Sequence, residues 1–225
     1  MSMTRRVMAL LVPLLSLAAG ASARGQVATQ SRDLDPLGRL ADGPRYQVEL
    51  LLDSARVAGL PTAPLESKAL EGISKRVDGR KIVVAVRAVF RSLRDARAVL
   101  GPGATPDELN AAAAALRVGL TQSELAHLTQ TRRDKPVTIP LVVLSDLITR
   151  GVPRDTASQT ILQLWQRGAA DDDFLGLWRG VERDIVSGTD PGVALLNRAR
   201  EVPSRGPPSP PATGERPEGT QTPSL

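Results

Sequence analysis

No cysteine occurs anywhere in the 225 residues. That excludes disulfides and thiolate metal sites, so the fold must hold by packing alone. Histidine occurs once, at His127, which excludes a histidine pair for zinc. Aromatic residues make up only 2% of the chain, too few for a ligand cage as well as a core. Lysine is nearly absent too: Lys68, Lys75, Lys81 and Lys135 are the full set, and arginine carries the remaining basic charge. With the alanine content, this is the composition of a protein from a GC-rich bacterial genome. Beyond the first two dozen residues no apolar run approaches the roughly 20 residues that cross a bilayer. No nucleophile elbow, phosphate-cradling glycine loop or zinc-type spacing is found, so nothing points to a catalytic residue, a cofactor or a metal.

What is present begins with a secretory signal. Met1 to Arg6 carries two arginines and no acid, Val7 to Ala19 is uncharged and apolar, and Ala21-Ser22-Ala23 supplies the small-residue exit. The expectation is cleavage after Ala23 and export to the periplasm or the exterior, by the general secretory route ahead of a twin-arginine one, which Thr4-Arg5-Arg6 faintly suggests. Losing Arg5 and Arg6 lowers the formal charge from +5 to +3, which weakens the case for nucleic acid as a partner.

The remaining chain reads in three parts. Residues 24–44 are polar and aperiodic, a flexible lead-in. Residues 45–200 form the expected folded domain. Residues 201–225 are a tail in which Pro203 to Leu225 holds seven of the eighteen prolines, and such a segment buries too little apolar surface to offset its ordering entropy.

Within the domain the apolar spacing is helical. Ile82, Val86, Val89, Leu93, Ala96 and Leu100 recur at steps of three and four, one stripe along a long helix. Phe174, Leu177, Trp178, Val181 and Ile185 repeat the pattern. Ile139 to Ile148 reads as a helix buried on most sides and placed at the centre of the core. Hairpin signals are absent, so the expected fold class is all-α, an array or bundle of about eight to nine short helices.

A recurrent corner joins them. Gly59-Leu60, Gly103-Ala104, Gly119-Leu120, Gly151-Val152, Gly168-Ala169 and Gly188-Thr189 each precede a further apolar residue five positions after the second member. Val77 to Ile82 and Val137 to Val142 share the step without glycine. Glycine just past a helix end closes the last carbonyls in the left-handed conformation. A residue before an N-cap meets the fourth helical residue, five positions on, as a hydrophobic staple. Thr105 with Glu108 and Thr121 with Glu124 read as capping boxes, and Asp78, Thr138 and Asp190 as N-caps. The helix starts fall mostly about 17 residues apart, and two such units approach the 34 residues of a tetratricopeptide repeat. The signature positions of that repeat are not recognisable, so an irregular array is expected rather than a regular solenoid.

Candidate sites are few. Arg87, Arg91 and Arg94 lie opposite the apolar stripe of their helix, a candidate anion-binding face, with Asp95 at the spacing to pair Arg91. Asp171-Asp172-Asp173 cannot converge on one cation from consecutive helical positions and suits the positive end of a helix dipole. Trp165, Phe174 and Trp178 read as a core cluster across the Gly168 corner, and His127 as an exposed residue. Leu120-Thr121-Gln122-Ser123-Glu124 is similar to the Leu-Thr-x-x-Gln segments of periplasmic stress chaperones, departs at the last position and is accounted for by capping. The sequence favours a non-enzymatic interaction or scaffold protein of a bacterial envelope or exterior, its partner another protein. A polyanion-binding protein, taking an anionic cell-envelope polymer, or a chaperone-like one comes second. An enzyme comes third, and its sign would be Glu66 or Glu71 meeting Asp146 in one cleft.

Overall fold

A computed structural model describes residues 37–132 and 135–204. The expected signal peptide (residues 1–23), residues 24–36 of the expected lead-in and residues 205–225 of the expected tail lie outside the described residues. Among the described residues there are nine helices and no strand. They are α1 (Asp42–Val57), α2 (Ala63–Ser74), α3 (Gly79–Leu100), α4 (Pro106–Arg117), α5 (Gln122–Thr131), α6 (Thr138–Thr149), α7 (Arg154–Gln166), α8 (Asp171–Val186) and α9 (Pro191–Glu201).

The corners explain why so many short helices form from one chain. Gly59, Gly119, Gly151, Gly168 and Gly188 all take positive φ, and at the end of α2 Arg76 does so with φ 53°. After each, the next amide bonds five residues back: Leu60 to the Ala55 carbonyl at 2.9 Å, Val77 to Gly72 at 2.9 Å, Leu120 to Ala115 at 3.0 Å. Val152 to Leu147, Ala169 to Leu164 and Thr189 to Asp184 repeat the bond. This is the Schellman closure, which satisfies carbonyls a helix end otherwise leaves open. The same residue then serves the next helix: Leu60 and Leu65, Leu120 and Leu125, and Val152 and Ala157 are all buried. Both expected capping boxes are formed, and Asp78 and Asp190 cap α3 and α9.

Three local expectations are corrected. The corner before α4 turns on Gly101, at φ 85° and ψ 177°, rather than on Gly103. That combination is open essentially to glycine alone. Thr138 is the first residue of α6 and not its N-cap, because the Leu141 amide that its hydroxyl would bind is already held by the Val137 carbonyl at 3.1 Å. Starting there turns the helix so that Leu141 faces inward and Val142 is 47% exposed. At the N-terminal side, α1 begins at Asp42, inside the span expected as lead-in. Leu40 is buried, and Pro44 fills the space beside Gly79, where a Cβ would lie 2.8 Å from the proline ring.

Packing is sequential. Helices α1, α3, α5, α7 and α9 touch one after another in one row, and α4, α6 and α8 in a second, with α2 held against α3. Each extensive contact joins a helix to its neighbour or its next-but-one, the nearest-neighbour logic of stacked helical arrays. Lengths from 10 residues in α5 to 22 in α3 keep it from being a regular repeat. The stripe from Ile82 to Ala96 is buried against α1, α2, α4 and α5, and α6 buries Pro140, Leu141, Val143, Leu144 and Leu147 between α4, α7 and α8.

Arginine ties the corners across the stack. Arg97 donates to the Gly59 carbonyl at 2.8 Å and to that of Pro102 at 2.7 Å. Arg154 donates to the Gly119 carbonyl at 2.7 Å and to Glu124 at 2.6 Å. Arg132 donates to the Ala169 carbonyl at 2.7 Å and lies over the Trp165 ring, 4.2 Å from its centroid.

Candidate functional site

The long helix α3 carries six basic residues and one acid, Asp95. Its apolar stripe turns inward, so at 100° per residue Arg80, Val84, Arg87, Arg91 and Arg94 share the opposite face, within about 80° of one another. All five are exposed. The arginine row from Arg80 to Arg94 runs about 21 Å at 1.5 Å per residue. Among the described residues these four arginines make no ion pair, and Arg91 does not bond Asp95 as its spacing allowed. Some cations elsewhere are engaged: Arg45 with Glu49 at 2.8 Å, Arg56 with Asp53 at 2.6 Å, and Arg198 with Asp184 through two bonds of 2.8 Å. Arg76, Arg167 and Arg179 also stand without an ion pair among the described residues. What distinguishes the row is that four such unpaired arginines line one face of a single rigid helix.

Beside it lies a cleft of about 420 Å³ between α1 and α3, lined by Gly43, Pro44, Gln47, Arg80, Val83, Val84 and Arg87. Two guanidinium-bearing residues thus stand on a cleft that also has an apolar wall and an amide. Val84 is 60% exposed in the middle of the row. Sequence reading named Arg87, Arg91 and Arg94 but missed Val84 and Gln47. The α3 spacing places Val84 on the outward face, yet only the docking of α1 makes it part of a cleft.

An outward face contributes little packing. Replacing Arg87, Arg91 and Arg94 together by glutamine is therefore expected to shift the thermal midpoint by no more than about 2 °C, since surface substitutions stay near neutral. A loss comparable to a core mutant's, followed by circular dichroism melting, would mean that the row is buried.

The other candidates are structural in their surroundings. Trp165 is buried, its indole N–H donates to the Leu128 carbonyl at 2.9 Å, and its ring meets Phe174 at 6.2 Å between centroids. Trp178 does not join them. It is half-buried against α6, donates to the Asp146 carboxylate and has the Arg150 guanidinium 5.6 Å from its ring centre. Arg150 also bonds Asp146 at 2.5 Å and Glu182 at 3.0 Å. The Glu71 carboxylate lies between Lys68 at 2.7 Å and Lys75 at 2.6 Å on its own helix. Hydrogen bonds from Lys68 first and Lys75 second hold its pKa down to about 2. Asp146 and Glu71 are thus each engaged by cations of their own helices. His127 is exposed, with Gln166 Nε2 3.2 Å from its ring Nε2. Asp171, Asp172 and Asp173 open α8, where Asp173 accepts from the Ala170 amide at 2.8 Å. No group of acids or histidine able to hold a metal ion occurs among the described residues, nor any helix long and apolar enough to cross a membrane. Compared with protein-family models, curated proteins and solved structures, the chain matches none of them.

Proposed function

We propose that this chain is an exported, non-enzymatic interaction module of a bacterial envelope or exterior, which holds a protein partner on the outward faces of its helical array. The observation that carries the reading is the sequential packing, which leaves an exposed face along α1, α3 and α8. The carboxylates support it as well. Glu71, Asp146, Glu124 and Asp184 each lie against a lysine or arginine, a setting for structural charge. An anionic cell-envelope polymer is the second reading, favoured by the uncompensated row on α3.

Cross-linking in intact cells followed by mass spectrometry tests both the export and the partner. The expected result is a mature N-terminus at Arg24, in the periplasmic or extracellular fraction, and one protein cross-linked in stoichiometric amount. An intact Met1 in the cytoplasm would overturn the export. Retention only on anionic polymer, released by salt, would replace the protein partner with the second reading.

A further inference from the structure

We propose that the outward face of α3, with its cleft against α1, docks an acidic protein segment that carries an apolar residue among its carboxylates. This rests on the interaction-module reading and names the chemistry of the partner. Charge sets the first requirement. Arg80, Arg87, Arg91 and Arg94 are exposed with no ion pair among the described residues, and Asp95 is the one acid on their helix. A ligand for this face must be anionic, and arginine suits carboxylates because its planar fork donates two parallel hydrogen bonds. Shape sets the second. A row of about 21 Å matches an extended segment of six or seven residues at about 3.3 Å each.

The third requirement separates a protein from a polymer. A chain of sugars or phosphates needs only the cations. Here the row is interrupted by Val84, which is 60% exposed, and Val83 and Val84 wall the cleft between Arg80 and Arg87. An apolar side chain on the ligand would remove that wall from water, which is favourable in proportion to the area covered. Gln47, on the α1 side of the same cleft, offers an NH2 group with two donors and a carbonyl acceptor, which complement the C=O and N–H of an extended peptide backbone.

The probe is a fluorescein-labelled twelve-residue peptide of repeating Asp-Glu-Leu triplets, with a leucine-free acidic peptide of equal charge and inorganic polyphosphate as competitors. Binding to the full chain is read by anisotropy at several salt concentrations. The leucine peptide is expected to bind in a salt-dependent way. Replacing Arg87, Arg91 and Arg94 by glutamine is expected to weaken it about tenfold or more, from three exposed pairs. Val84→Gln is expected to weaken it several-fold and to leave the leucine-free peptide unaffected. Replacing the exposed Arg167 and Arg179 by glutamine removes two charges from the end of α7 and from α8 and is expected to leave binding within a factor of two. Equal affinity for all three ligands, with no effect of Val84→Gln, would overturn the proposal in favour of an anionic polymer. Equal loss on replacing Arg167 and Arg179, or no binding of the leucine peptide at low salt, would also overturn it. Cross-links from a cellular partner that map away from α1 and α3 would sink this proposal and leave the interaction module standing. The absence of any cellular partner would sink the module itself.

Discussion

Trp165→Ala lowers the unfolding free energy by about 3–5 kcal/mol in urea denaturation, the range for emptying a buried aromatic site. Three losses act together. The indole is 1% exposed, so the vacated volume lies inside the core. The Leu128 carbonyl loses the N–H that bonds it at 2.9 Å, and Arg132 loses the ring beneath its guanidinium. Arg132 also donates to the Ala169 carbonyl, so the α7–α8 corner loosens with it. Stability totals only about 5–15 kcal/mol in ordinary domains, so this one change removes a large share. In an array whose helices contact only near neighbours, the damage is also expected to be regional. Hydrogen exchange should show α5, α7 and α8 losing protection before α1 to α3 do. A variant as stable as the parent would contradict the burial of this ring.

Gly101→Val and Gly119→Val each destabilise by roughly 1–3 kcal/mol, while Gly103→Val has little effect. The first two glycines sit at φ 85° and 107°, where a Cβ meets the backbone of its own residue. At Gly119 an added Cβ also comes within 3.3 Å of Arg154 Cδ, on the side chain that holds the Gly119 carbonyl and Glu124. Gly103 lies two residues from Gly101, outside the left-handed region, with nothing within 4 Å of an added Cβ. Its valine variant is thus a control within one corner. Chemical denaturation of the three variants measures the contrast. Equal harm at Gly101 and Gly103 would mean that the corner does not turn where these dihedrals place it.

Much of this architecture was legible in the residue order, because the forces that end one short helix and begin the next are local. Left-handed closure at Gly59 or Gly119, the Thr105–Glu108 and Thr121–Glu124 boxes and the staples from Leu120 to Leu125 or Val152 to Ala157 all act within about a turn of the chain. The inward stripe of α3 follows as directly, since a 3.6-residue period needs no partner to define its face. Errors arose where two local solutions competed. Gly101 and Gly103 both stand near the end of α3, and only the chain path selects the one that turns. Thr138 and Val137 both suit the start of α6, and a one-residue shift moves Val142 from core to solvent.

Everything that joins distant segments was decided by the tertiary structure. No spacing rule links Arg97 to Gly59 or Arg132 to Ala169, because a guanidinium reaches whichever carbonyl the packing brings near it. Trp178 shared an apolar stripe with Phe174, yet turns to Asp146 and Arg150 because α6 lies on that side. The arginine row itself was readable from α3 alone. Its neighbours were not: Val84 and Gln47 become one cleft only because α1 docks along α3, held by burial of Val48, Leu52 and Ala55. The hydrophobic effect that drives such docking is non-directional, so composition and period determine which face each helix buries, and only the assembled fold determines what it is buried against.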